Sequence, residues 1–150
     1  MLFRSDEPFS GLDPMVRDEL GKALVDRAVE STILLSSHDL AEMEGFATHV
    51  MFLDAGRIQL CEEMSSLTAR FREVAVTLAA PAPLPPNLPP TWMQVTVNDS
   101  IVRLVDSAFD AEGTPAEISR RFGPMQNATF APMTLRAIFL ALGKSSKKSS

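Results

Sequence analysis

One cysteine, Cys61, stands in the 150 residues, which excludes an internal disulfide framework and suits a reducing compartment. Long apolar runs are lacking too. The longest apolar segment lies near the C-terminus and is broken by Arg136, and no N-terminal stretch resembles a signal peptide. The expectation is no direct membrane insertion, so any link to a membrane would pass through a partner. Positive charge is in deficit: 14 Lys and Arg stand against 19 Asp and Glu, for a net charge of −5. A phosphate backbone calls for clustered positive charge, so nucleic acid is not an expected partner. The apolar share of 45% and charged share of 22% are ordinary globular usage and suffice for one or two small domains with cores.

The informative residues sit at the N-terminal end. Ser5-Asp6-Glu7-Pro8-Phe9-Ser10-Gly11-Leu12-Asp13-Pro14 closes a short apolar opening, and Ser36-Ser37-His38-Asp39 closes the β-branched and leucine run from Ser31 to Ser36, which reads as a buried strand. A helix is predicted between them. Asp13 suits its N-cap and Pro14 its first position, after which Val16, Leu20 and Leu24 recur down one face. Strand, helix, strand is a βαβ unit, whose right-handed crossover makes the strands parallel and brings their carboxyl ends to one sheet edge. Asp6, Glu7, His38 and Asp39 are therefore expected to converge. Two adjacent carboxylates facing a histidine suit a hydrated divalent metal beside a phosphate. On spacing alone, a pair of solvated strand ends with acidic helix caps is an equally good reading.

Asp6 to Pro14 resembles the Walker B motif and D-loop of ATP-binding cassette (ABC) transporter ATPases, and Ser36-Ser37-His38-Asp39-Leu40 resembles their switch-histidine loop. Ala41 to Ile58 is similar to the same family's run into its closing strands. By that resemblance the fold is α/β, the C-terminal part of a P-loop NTPase-type domain, and the cofactors are ATP and Mg2+. Asp6 would hold the metal, Glu7 would be the general base, and His38 would reach the γ-phosphate as a catalytic and nucleotide-contacting residue. Ser10, Gly11 and Asp13 would form a D-loop at a dimer interface. The implied partners are a second ATPase subunit and a transmembrane permease, and the implied location is cytoplasmic, peripheral to the inner face of the membrane. The family's phosphate loop, G-x-x-x-x-G-K-[ST], is not among these residues, nor are its glutamine loop and signature motif. Arg4 and Ser5 also depart from the apolar run that leads to the aspartate, and a buried strand accepts such residues poorly. Glu63 departs as well, at a place where a turn rather than the site is affected.

These departures lead to two expectations. One is the ATP-hydrolysing subunit of an ABC transporter, present as an N-terminally truncated piece that is inactive as an isolated chain. The other is a noncatalytic binding or regulatory module that associates with a complete transporter ATPase.

Further along, His49–Leu53 and Arg57–Cys61 flank Asp54-Ala55-Gly56 and read as a β-hairpin, with His49 a strand residue. Ser65–Arg70 reads as a helix. Residues 1–72 are then the ATPase part, and 73–143 an accessory small α+β domain. In it, Glu73–Leu78, Trp92–Val97, Ile101–Val105 and Ala128–Ala131 read as strands, and the proline-rich segment 81–90 as a spacer or exposed loop. Thr114-Pro115-Ala116-Glu117 reads as a capping box opening a helix to Phe122, and Thr134–Leu142 as a final helix ended by Gly143. Residues 144–150 read as a disordered tail.

Overall fold

The computed structural model describes residues 2–146, with side chains described through residue 144. The chain divides into two compact units, residues 1–47 and 48–150.

The first unit runs β1 (Leu2–Asp6), α1 (Pro14–Ala28), β2 (Thr32–Ser36) and α2 (Leu40–Glu44). β1 and β2 pair in parallel with Leu2 opposite Thr32 and Asp6 opposite Ser36. Asp13 caps α1, its Oδ1 accepting from the amides of Met15 at 3.0 Å and Val16 at 3.1 Å, and Pro14 opens the helix. Two expectations need correction. Val16 is exposed and Leu20 and Leu24 are only half-buried, while the buried residue of α1 is Gly21, facing Phe46. β2 is not buried either: it alternates half-buried Ile33 and Leu35 with exposed Thr32, Leu34 and Ser36. The sheet has two strands, and Leu2, Phe3 and Leu34 on it are exposed. Arg4 is accordingly exposed in a regular strand and carries no cost of charge burial.

The second unit opens with an antiparallel hairpin of β3 (His49–Asp54) and β4 (Arg57–Glu63). Its turn places Ala55 at φ 48° and Gly56 at φ 74°, the left-handed pair that matches strand twist. Glu63, at the end of β4, precedes α3 (Met64–Arg70) and accepts the Ser65 hydroxyl at 2.7 Å, so its departure from the family pattern lies at a strand-to-helix junction. β5 (Arg72–Leu78), β6 (Trp92–Asn98), β7 (Ile101–Asp106) and β8 (Met125–Pro132) form an antiparallel sheet in the order β6-β7-β5-β8, joined by α4 (Gly113–Phe122) and followed by α5 (Leu135–Ser146). Val74, Val76, Val102, Leu104, Trp92, Ile118 and Phe122 make one buried cluster. The Trp92 and Phe122 rings stack at 6.3 Å. Each fully buried aliphatic side chain there contributes about 1.5–3 kcal/mol.

β7 lies between β5 and β6, so residues 79–91 must cross the sheet. Proline keeps this crossing from becoming a helix, yet it is not a free spacer. Ala82 and Leu88 pack on the core, and the Asn87 carbonyl accepts from Arg121. Arg70 joins hairpin to sheet, forking onto Glu62 through Nε at 3.0 and 3.1 Å and Nη2 at 2.7 Å, and donating to the Ser107 carbonyl.

The capping box at Thr114 does not form. Asp110 Oδ1 accepts from the amides of Glu112 at 3.1 Å and Gly113 at 2.6 Å, which moves the helix start upstream and puts Thr114 inside it. Glu117 turns to Arg120 and Arg121 instead. α5 also runs through Gly143 to Ser146 rather than ending at the glycine. Residues 147–150 of the expected tail lie outside the described residues.

Asp106 is 1% exposed and accepts the Thr114 hydroxyl at 2.7 Å on Oδ2 and the Ala108 amide at 2.9 Å on Oδ1. Replacing Thr114 by Val keeps the shape and removes the donor. Thr114→Val is expected to lower stability by about 1–3 kcal/mol in urea unfolding. A loss below about 0.5 kcal/mol would mean that the carboxylate finds another donor.

Candidate functional site

Parallel pairing ends β1 at Asp6 and β2 at Ser36 on the same edge, and the residues that follow fold toward each other. The Ser36 hydroxyl donates to Asp6 Oδ1. Glu7 continues past the strand with φ 46°, a left-handed conformation that costs a non-glycine residue about 1–3 kcal/mol. Its backbone amide donates to the Ser36 carbonyl at 2.9 Å, and its carboxylate meets the next loop. Oε1 accepts the His38 amide at 2.9 Å, Oε2 lies 2.8 Å from His38 Nδ1, and the Ser37 hydroxyl reaches Oε2 at 3.5 Å. The Ser37 oxygen in turn accepts the Asp39 amide at 3.0 Å.

Glu7 thus holds both the backbone and the ring of His38. The imidazole side chain is 81% exposed. Its pKa is raised above the ordinary 6.5, first by the hydrogen bond to Glu7 and then by that carboxylate's charge; desolvation opposes the shift, and Asp39 and Glu42 add to it. A carboxylate paired with a basic imidazole at a solvent-open strand edge can take a proton from water or order an anionic oxygen.

The other expected residues are placed differently. Ser10 and Gly11 are exposed, with Gly11 at φ 75° and the Ser10 amide donating to the Glu7 carbonyl at 3.1 Å. Asp13 is the α1 cap described above, and none of the three contacts Glu7 or His38 through a side chain in the hydrogen bonds of the described residues. His49 lies in the second unit at the start of β3, with Nδ1 3.2 Å from the Thr48 hydroxyl.

No group of three or more His, Cys, Asp or Glu suited to a metal ion occurs among the described residues. Magnesium commonly takes one or two carboxylates and completes its shell with water and phosphate oxygens. Asp6, exposed and with one oxygen engaged by Ser36, fits as such a single ligand. An open groove of about 600 Å3 on this unit is lined by Phe9, Arg17, Gly21, Lys22 and Phe46, and not by Asp6, Glu7 or His38.

Ser36 and Ser37 belong to the recognised loop, but their bonds to the carboxylates had no signal beyond that doublet. Arg17 and Glu42 had none that sequence reasoning used. Arg17 Nη1 pairs with Glu42 Oε1, and Arg17 Nε donates to the Leu12 carbonyl at 2.8 Å.

The site is a pair of strand-end carboxylates answered by a histidine across a parallel ladder. The chain's homologues are ATP-binding proteins of ABC transporters, and the match is that of a partial ABC ATPase domain with its P-loop NTPase-type α/β fold. The thiamine import ATP-binding protein ThiQ of Vibrio parahaemolyticus is 36% identical over 66 residues, which are 43% of this chain and 28% of that protein. The glutamine transport ATP-binding protein GlnQ of Escherichia coli is 42% identical over 59 residues, 39% of this chain and 24% of that protein. The glucosylceramide transporter ABCA12 of Mus musculus is 23% identical over 171 aligned residues, 97% of this chain and 7% of that protein. The chain therefore spans less than a third of each of these curated relatives. No protein-family model matches it. Among the described residues, no helix is long and apolar enough to cross a membrane.

Because the His38 pKa is raised, the protonated ring is the form that Glu7 favours. The stability that this pair adds is fully present below 6.5 and is lost as pH rises through the higher folded value. Glu7→Gln removes the main cause, so the His38 midpoint, followed by NMR of its ring protons, is expected to fall toward 6.5. An unchanged midpoint would mean that the pair does not persist in solution.

Proposed function

We propose that this chain acts as part of the ATP-binding and ATP-hydrolysing subunit of an ABC transporter, contributing the residues that follow the phosphate loop. The observation that carries this reading is Glu7 held against His38 across the β1–β2 edge, with Asp6 beside it. Asp6 would hold Mg2+, Glu7 would polarise the attacking water, and His38 would contact the γ-phosphate. The ion, when bound, would supply charge neutralisation. Ser10, Gly11 and Asp13 face a second ATPase subunit. Residues 1–72 are the C-terminal part of the ATPase domain, and 73–143 are a small α+β accessory domain. A transmembrane permease holds the assembly at the cytoplasmic face of the membrane.

A second reading is favoured by one fact: no phosphate loop lies within these residues, so most phosphate contacts must come from elsewhere. In that reading the chain is a noncatalytic regulatory module bound to a complete transporter ATPase. Exposed Leu2, Phe3 and Leu34 around the two-stranded sheet separate the two. A hydrolase part lacking its covering strands is expected to self-associate in size-exclusion chromatography, whereas a purposeful module elutes as one monodisperse species.

The deciding experiment is ATP turnover. The 150-residue chain is expected to show none; turnover abolished by Glu7→Gln would overturn that. Fused behind the phosphate-loop half of a relative such as ThiQ, the chain is expected to support hydrolysis, and Glu7→Gln to lower kcat by about 100-fold or more. Unchanged kcat in that variant would remove Glu7 from the role of base.

A further inference from the structure

Arg17 joins the loop after Glu7 to the helix after His38. It stands in the first turns of α1, where its Nε donates to the Leu12 carbonyl at 2.8 Å, inside the Ser10–Asp13 loop. Its Nη1 pairs with Glu42 of α2, the helix that begins two residues beyond His38. The Glu42 side chain is only 18% exposed and the Arg17 side chain 36%, so the pair is partly shielded from water. A guanidinium donates in a rigid fork, and here its two arms serve two different elements at once. A lysine, with one rotatable ammonium, has no equivalent geometry.

We propose that Arg17 is a positioning residue that ties the Ser10–Asp13 loop to the segment carrying His38, so that displacement of either is felt by the other. Its functional meaning rests on the reading of that loop as an interface element and of His38 as a nucleotide-contacting residue. A change at a partner subunit's surface would then reach His38 through Leu12, Arg17 and Glu42, and a change at His38 would return by the same bonds. The tie itself is independent of any nucleotide.

The test is amide hydrogen exchange by NMR on the full 150-residue chain and on Arg17→Ala, Glu42→Gln and the double variant. The reporters are the amides of Ser10 and Leu12, bonded to the carbonyls of Glu7 at 3.1 Å and Phe9 at 3.3 Å. The Asp39 amide, bonded to the Ser37 hydroxyl at 3.0 Å, reports on the other side. Arg17→Ala is expected to speed exchange at all three by about twofold or more. Glu42→Gln is expected to speed the Ser10 and Leu12 amides as well, although no hydrogen bond among the described residues joins Glu42 to that loop. The double variant is expected to exchange no faster than Arg17→Ala, the non-additivity of a shared link. Should Arg17→Ala unfold the β1–β2 amides, Glu42→Gln alone carries the test. Loop amides that keep their rates in Glu42→Gln, or single effects that simply add, would overturn the proposal. Failure of the fused ATPase to bind ATP would count against the proposed function and leave these rates untouched.

Discussion

The parallel pairing of β1 with β2 is the constraint on which the candidate site depends. Because Asp6 lies opposite Ser36, the residues that leave each strand emerge at one edge, where Glu7 and His38 come within 2.8 Å. An antiparallel pair would put one strand's carboxyl end beside the other's amino end and separate them by the length of the sheet. The connection that enforces this is α1, whose cap at Asp13 and proline at position 14 start the helix immediately after the loop. Glu7 accepts a left-handed backbone to complete the approach, and its bonds to Ser36 and His38 offset that cost.

Burial is distributed unequally. The antiparallel sheet β6-β7-β5-β8 closes over Val74, Val102, Leu104 and Ile118, each at most 2% exposed, and α4 supplies the covering face. The parallel pair has no comparable cover, with Leu2 68% and Phe3 49% exposed. Parallel sheets are normally buried on both faces. The pair that carries the carboxylates contributes little apolar burial of its own, and around it stand backbone ladder bonds, the α1 cap, the Arg17–Glu42 pair and the buried Phe9, whose ring meets Phe46.

Much of this was legible before any coordinates. The hairpin turn at Asp54-Ala55-Gly56, the cap at Asp13 and the strand ending at Ser36 follow from local chemistry, since each needs only residues within a few positions of itself. Not every local motif held. Thr114 reads as a cap, but Asp110 takes the amides of Glu112 and Gly113 and the helix starts upstream, while the buried Asp106 carboxylate takes the Thr114 hydroxyl. Gly143 reads as a stop, but α5 continues to Ser146. The proline-rich crossing reads as a spacer or exposed loop; it is a loop and mostly exposed, but Ala82 and Leu88 pack on the core.

The sequence by itself determined the order of the elements and the convergence of Asp6, Glu7 and His38, because hydrophobic period and crossover handedness are properties of the chain. It also carried the likeness to ABC transporter ATPases in motifs short enough to read directly. Only the tertiary structure decided that Glu7 grips both the amide and the ring of His38, that Ser36 answers Asp6, and that Arg17 spans from Leu12 to Glu42. Those contacts join residues far apart in the chain through side-chain directions. A one-dimensional pattern records which residue types are present and how they are spaced, while the direction of each side chain is set by what it packs against.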